Sequence, residues 1–333
     1  MDIRDKRLVV IGGAGLIGSH TVESLLTHDV GEVVVYDNFT RGTRENLLSA
    51  LSDPRTRIFE AGGDICQTDV LESALKGADG VFHFAALWLL QCHEYPQAAF
   101  DVNVRGTFNV VQACIAAGVE RLVFSSSASV YGDAVEEPMT EDHPFNFENF
   151  YGATKVAGEA MCHALHKRYG LPYVGLRYMN VYGPRQDYRG AYIAVIMRML
   201  DSIDRDEPLV IYGDGSQAYD FVFVTDCADA NVCAMKADIV DRFYNVGGGI
   251  RTSISELAET LLRITGSDVG VRYEPEGLSF VKNRIGSTRR AEEEIGFRAK
   301  IELEDGLHRL VEWRQLHKAT IDERRAQADV AAA

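Results

Sequence analysis

Tyr151 and Lys155 stand four residues apart in a stretch that reads as a helix, so their side chains share one face. An ammonium near a phenol stabilises the phenolate and lowers its pKa from about 10, which makes a tyrosine a usable base near neutrality. Upstream, a strand-like run ends in Ser125-Ser126-Ser127-Ala128-Ser129-Val130-Tyr131-Gly132. A hydroxyl there can hold the substrate oxygen whose proton Tyr151 removes. Each feature alone is ordinary: a Tyr and Lys at this spacing recur by chance, and serines at strand ends are usually turn chemistry. Their order in the chain, behind a glycine loop, is what gives them weight.

That loop is Gly12-Gly13-Ala14-Gly15-Leu16-Ile17-Gly18, between an apolar strand-like run at 8–11 and a helix-like run at 17–26. Bare backbone lets a diphosphate approach the amides of a helix N-terminus, where the helix dipole favours anions. Asp37 follows the second strand-like run, 19 residues after Gly18 (37 − 18), close to where a ribose 2′-hydroxyl acceptor belongs. Its carboxylate repels a 2′-phosphate, so NAD is expected rather than NADP. Arg41 and Arg44 lie nearby and read as solvated loop charge. Asp64-Ile65, after a third strand, suits either an adenine contact or a turn.

The elements that must position these groups alternate. Short β-branched runs at 8–11, 33–36, 81–84, 122–125 and 172–176 are separated by amphipathic segments at 17–26, 70–75, 102–117 and 152–169. That alternation predicts an α/β fold with a doubly wound parallel sheet covered on both faces. From Gly183 the pattern breaks into shorter pieces. They include a strand at 221–224, a helix at 226–236, strands at 243–246 and 269–273, and helices at 255–265 and 305–316. The expected organisation is a cofactor domain over 1–180, rejoined by 221–248. A smaller interwoven lobe over 181–220 and 249–318 and a frayed tail over 319–333 complete it.

The chain has 333 residues, 34 Lys and Arg against 49 Asp and Glu, and a net charge of −15. That acidity argues against nucleic acid and against an anionic membrane surface as partners, but not against a small anion bound by local dipoles. The longest apolar stretch, 81–90, is too short to span a bilayer. Six cysteines without metal spacing fit a reduced, cytoplasmic protein with core thiols and no metal site.

Taken together, these residues resemble the extended short-chain dehydrogenase/reductase superfamily, and within it the nucleotide-sugar 4-epimerases and dehydratases. The resemblance runs from about Leu8 to Trp313. It is carried by the glycine loop, Asp37, His83-Phe84-Ala85-Ala86, Asn103-Val104-Arg105-Gly106-Thr107, the serine cluster, Tyr151-Gly152-Ala153-Thr154-Lys155, and Arg177-Tyr178-Met179-Asn180-Val181-Tyr182-Gly183-Pro184-Arg185. It implies a Rossmann-type sheet, NAD as cofactor and a UDP-sugar as substrate. Tyr151 would be the general base and acid, with Lys155 as its tuning partner on the nicotinamide ribose. Ser127 would be the catalytic hydroxyl and Ser126 its understudy.

The cofactor wall would run through Gly12, Gly15, Leu16, Ile17, Gly18, Asp37, Asn38, Asp64, Ile65, Phe84, Ala85, Ala86, Asn103, Ser125, Tyr151, Lys155 and Tyr178. Asn103 reads equally as a backbone brace. The substrate side would use Trp88, Ser126, Ser127, Tyr151, Asn180, Arg185, Tyr192, Tyr219 and Arg284. His83 reads as a packed histidine and Arg177 as an ion-paired strand residue.

Relatives that also deprotonate C5 carry acids just after the catalytic hydroxyl. This chain has Ala128 and Ser129 there, which points to C4 epimerisation. Rival readings are a 4-keto reductase or dehydrogenase, a 4,6-dehydratase or decarboxylase, and a non-catalytic dinucleotide sensor. Two departures stand out. Tyr219 replaces an arginine that commonly grips the diphosphate, leaving Arg185, Arg189, Lys282 and Arg284 to supply charge. Trp88 occupies a point where some epimerases place a lysine, and is expected to wall the sugar pocket. The helices at 102–117 and 152–169 imply a homodimer by resemblance.

Overall fold

The computed structural model describes residues 1–186, 194–275 and 281–323. The first half runs β1 (Arg7–Ile11), α1 (Leu16–Leu26), β2 (Glu32–Tyr36), α2 (Leu48–Leu51), β3 (Thr56–Ile58), α3 (Thr68–Leu75), β4 (Gly80–His83), α4 (Leu89–Glu94), α5 (Pro96–Ala99), α6 (Thr107–Ala117), β5 (Arg121–Ser127), α7 (Phe150–Tyr169) and β6 (Tyr173–Tyr178). The second runs β7 (Asn180–Tyr182), α8 (Val195–Asp204), β8 (Leu209–Tyr212), β9 (Ala218–Tyr219), β10 (Phe221–Phe223), α9 (Val224–Lys236), β11 (Arg242–Val246), β12 (Thr252–Ser253), α10 (Ile254–Thr265), β13 (Val271–Glu274), β14 (Asn283–Arg284), α11 (Arg289–Ile295) and α12 (Leu303–Leu316).

Seven parallel strands pair in the order β11-β6-β5-β4-β1-β2-β3. Their runs of Val, Ile and Leu are buried because helices cover both faces, as in a Rossmann-type sheet. One face packs Leu8, Val10, Val33 and Val35 with α1 and α9. The other packs Val9, Ile11 and Val34 with residues of α3 and α6. The smaller lobe gathers Met197, Leu200, Ile211, Leu257, Leu261 and Leu310 around a separate core. The parallel pair β7·β10 links it to the strand end of the sheet.

Three local features set the site. Asn149 caps α7 by accepting from Gly152 N–H at 2.8 Å. Gly158 lets α7 lie on β5: a Cβ there would fall 2.5 Å from the Phe124 ring. Across the same seam, the buried Arg177 guanidinium on β6 grips the Glu159 carboxylate on α7 at 2.9 and 2.7 Å.

The expected helix at 102–117 is not one α-helix. A π-helical segment, Phe100–Gly106, precedes α6. Gly106 sits against Ile65, where a Cβ would come within 2.6 Å of the side chain. Helix α8 was not read from the sequence, although Val195, Ile196, Met199, Leu200 and Ile203 recur at helical spacing. Among the described residues, no helix is long and apolar enough to cross a membrane, and no cluster of His, Cys, Asp and Glu could hold a metal.

Candidate active site

A cleft of about 1360 Å³ opens at the carboxyl ends of the strands, bordered by the loops after β1, β2 and β4. Strand order reverses between β1 and β4, the place where open α/β sheets bind ligands. Gly12, Gly15, Leu16, Ile17 and Gly18 line its floor. Gly12 has φ +77°, and a Cβ on Gly18 would lie 2.2 Å from the Gly12 carbonyl oxygen, so neither position takes a side chain cheaply. On Gly15, the N-cap of α1, a Cβ would meet only that same oxygen, at 3.3 Å. The helix amides therefore face open cleft, a cradle that fits a dinucleotide diphosphate.

Asp37 ends β2 as expected. Its carboxylate accepts from the Ala14 amide at 2.9 Å and the Phe39 amide at 2.8 Å. Burial raises its pKa, and these two amides oppose the rise. Asn38, Asp64, Ile65, Phe84, Ala85, Ala86 and Ser125 also line the cleft. Asp64 has a turn role besides, accepting from Cys66 N–H at 2.8 Å.

Two expected cofactor contacts are corrected. Tyr178 points into the core against α9, where its hydroxyl donates to Asn231 Oδ1 at 2.7 Å, and burial pushes its pKa well up. Its position on a strand covered on both faces decides this. Asn103 braces backbone: Oδ1 accepts from Leu87 N–H at 2.7 Å, and Nδ2 donates to Leu87 O at 2.9 Å. It thereby fixes the loop that carries Trp88 rather than lining the cleft.

Tyr151, Lys155 and Ser127 come together where α7 crosses the end of β5. Lys155 Nζ donates to Ser125 O at 2.8 Å and lies 5.5 Å from the Tyr151 ring centre. Burial lowers the Lys155 pKa to about 8. Burial likewise pushes the Tyr151 phenol up to about 12, against the lowering effects of a hydrogen bond with Ser127 and the charges of Arg41 and Arg284. The Ser127 side chain caps the turn after β5, accepting from Ser129 N–H at 3.1 Å. Ser126, on the opposite pleat, donates to Glu159 Oε1 at 2.5 Å and belongs to the buried Arg177 cluster, not to the site. That corrects its expected substrate role. His83 is a packed residue, with Nε2 3.0 Å from Thr107 Oγ1 and a pKa lowered to about 3 by burial.

On the substrate side, Trp88, Asn180 and Arg185 line the cleft. Arg185 Nη2 is bound to Glu23 at 2.5 Å, and Asn180 Nδ2 donates to Asp220 O at 3.3 Å. The Tyr219 hydroxyl donates to Val281 O at 2.9 Å, so the phenol braces backbone. Arg284 pairs in register with Tyr219. It is only 8 % exposed, and its buried Nε and Nη2 have no hydrogen-bond partner. Burial lowers its pKa to about 10. Tyr192 and Arg189 lie outside the described residues. Two residues of the site had not been assigned to it from the sequence. Arg41 lies over Trp88 instead of in solvent, and Cys92 lies close enough to raise the Tyr151 pKa.

Comparison with known proteins agrees with this geometry. The model of the NAD dependent epimerase/dehydratase family matches residues 8–247. A putative UDP-glucose 4-epimerase of Methanocaldococcus jannaschii is 34% identical over 324 residues, covering 94% of this chain and 100% of that protein. The structure of the UDP-N-acetylglucosamine 4-epimerase of Methanobrevibacter ruminantium, in complex with UDP-N-acetylmuramic acid, superposes with a TM-score of 0.89. It is 34% identical and covers 94% of this chain and 99% of that one. DesIV of Streptomyces venezuelae, a dTDP-glucose 4,6-dehydratase solved with NAD bound, gives 0.85 at 31% identity, covering 94% and 98%. The chain belongs to the NAD dependent epimerase/dehydratase family, and NAD is the cofactor of its glycine-lined cleft.

Proposed function

We propose that this protein epimerises a UDP-sugar at C4. The observation that carries this reading is the set of groups acting on the Tyr151 phenol: Ser127, Cys92, Arg41 and Arg284, with no carboxylate among them. Ala128, next to Ser127, is 1 % exposed and apolar. A base for the C5 proton, which dehydration requires, is therefore missing beside the hydroxyl.

In this reading Tyr151 takes the proton of the C4 hydroxyl while Ser127 holds its oxygen, and Lys155 favours the phenolate. NAD supplies the redox step, accepting the C4 hydride and returning it. The sugar turns over between the two transfers, and Tyr151 gives the proton back. Gly12, Gly15, Leu16, Ile17, Gly18, Asp37, Asn38, Asp64, Ile65, Phe84–Ala86 and Ser125 form the cofactor wall. Trp88 and Asn180 border the substrate. Arg284 takes negative charge of the substrate, because a buried guanidinium with unpaired donors favours an anion strongly.

Incubation with a panel of UDP-hexoses, N-acetylated UDP-hexoses and UDP-uronates, followed by chromatography, tests this. A C4 epimer without net change at the nicotinamide absorbance band is expected. Stoichiometric NADH formation would replace the reading with a dehydrogenase. Loss of water or of carbon dioxide would replace it with a dehydratase or decarboxylase. Preference for uronates would place the Arg284 charge at a sugar carboxylate instead of the diphosphate.

We further propose a homodimer through the α6 and α7 layer. Tyr95, Phe100, Phe108 and Phe150 expose 56, 48, 40 and 38 % of their surface in this region, an apolar display that water penalises. Light scattering is expected to give twice the 36.8 kDa chain mass; a monomer mass at working concentration would refute it.

A further inference from the structure

We propose that Arg41, seated on Trp88, is the cation that clamps the diphosphate of the bound dinucleotide across the mouth of the cleft. The guanidinium carbon lies 4.4 Å from the centre of the indole. Arg41 comes from the loop after β2 and Trp88 from the loop after β4, so the pair joins two walls of one cleft.

The Arg41 loop is anchored to the phosphate loop itself. A Cβ on Gly42 would lie 2.6 Å from the Ala14 carbonyl carbon, so only glycine allows this approach. Ala14 O accepts from Thr43 N–H at 3.3 Å and from Asn46 Nδ2 at 2.9 Å. Arg41 is thus held at a set height above the amides that meet the phosphates.

The charge balance calls for such a group. The first turn of α1 carries no charged residue that would add to its dipole, and the dipole amounts to about half a charge. Of the other described cations on the cleft wall, Lys155 donates to Ser125 O and Arg185 to Glu23. Stacking on Trp88 uses the face of the Arg41 guanidinium, while its N–H groups donate in the plane, the geometry that suits a phosphate.

Arg41 also reaches the reacting group. The groups that face the Tyr151 phenol are Ser127 from β5, Cys92 from α4, Lys155 one turn along α7, Arg284 from β14 and Arg41. The positive charge of Arg41 lowers the phenol's pKa. Arg41 is therefore a positioning residue for the cofactor that also favours the base form of Tyr151.

The inference rests on NAD as cofactor and not on the C4 reaction, and its test is a binding measurement on nucleotide-free full-length protein. Arg41→Gln is expected to weaken NAD and ADP-ribose about tenfold, the scale of one charge-assisted hydrogen bond. Adenosine, which has no phosphate, should bind unchanged. Arg41→Lys should recover part of the loss, and Trp88→Leu should weaken NAD while Trp88→Phe keeps it. The acidic limb of the pH–rate profile should move to higher pH in Arg41→Gln, which a purely structural residue would not do. Unchanged NAD affinity would overturn the proposal. So would an equal loss of adenosine, which marks a collapsed loop, or a loss confined to NADP, which marks a 2′-phosphate contact.

Discussion

Tyr151→Phe is expected to lower turnover by about 10²–10⁴-fold, the usual worth of a positioned general acid–base group, while leaving NAD affinity close to that of the parent. The substitution removes one oxygen from a ring already held by α7 and changes no packing volume of consequence. The phenol stands at about 12 because burial penalises its charged form. Lys155, Arg41 and Arg284 must therefore be joined by the positive nicotinamide ring before the phenolate is populated near neutrality. The sign of the pH dependence follows. Activity should rise with pH through the pKa of the loaded enzyme, since only the deprotonated phenol accepts the C4 proton. Steady-state rates with the preferred sugar, beside NAD titration of the same sample, separate the two effects. Retained turnover would remove Tyr151 from the chemistry. Loss of NAD affinity alone would give the tyrosine a cofactor role instead.

Arg177→Ala is expected to cost about 3–5 kcal/mol of stability, the range for breaking one side of a buried ion pair. The Arg177 and Glu159 side chains are each 5 % exposed. The guanidinium also donates to the Tyr131 hydroxyl at 2.8 Å and to Glu141 O at 2.9 Å. Removing it leaves the Glu159 carboxylate in the seam with only the Ser126 hydroxyl. Replacing both partners by apolar residues of similar size, as in Arg177→Met with Glu159→Leu, should recover most of the loss, because no uncompensated charge then remains. Urea unfolding of the single and double variants measures this. A single variant within about 1 kcal/mol of the parent would mean that water reaches the seam and screens the charge. The site depends on this pair indirectly. It fixes α7 on β6, and α7 carries Tyr151 and Lys155.

Much of the cofactor half was legible because its signals are local. A glycine whose Cβ would strike the next turn, such as Gly18, is a requirement of a few neighbouring atoms. The same holds for Asp37, which closes on amides at Ala14 and Phe39. The substrate half was less legible. Its short strands β9, β12 and β14 have two residues each, too few for periodicity to register. Trp88, Arg41 and Arg284 lie far apart in the chain, and no spacing rule links them. Ser126 and Ser127 differ only by the pleat of β5, which sends one side chain to Glu159 and the other toward Tyr151. A run of serines does not reveal which is which until the strand register is known.

By itself, the sequence determined the alternation that makes a parallel sheet, the glycine loop, the acid that ends β2 and the shared helix face of Tyr151 and Lys155. These follow from contacts within a turn or a strand, so neighbouring residues suffice to specify them. Only the tertiary structure decided that Tyr178 and Asn103 brace backbone and core, and that Tyr219 supports Val281 rather than a ligand. It also decided that Arg284 is buried without partners and that Arg41 bridges the cleft over Trp88. The physical reason is that a side chain's role depends on what lies across from it. For these residues the facing groups arrive from strands and loops tens or hundreds of residues away.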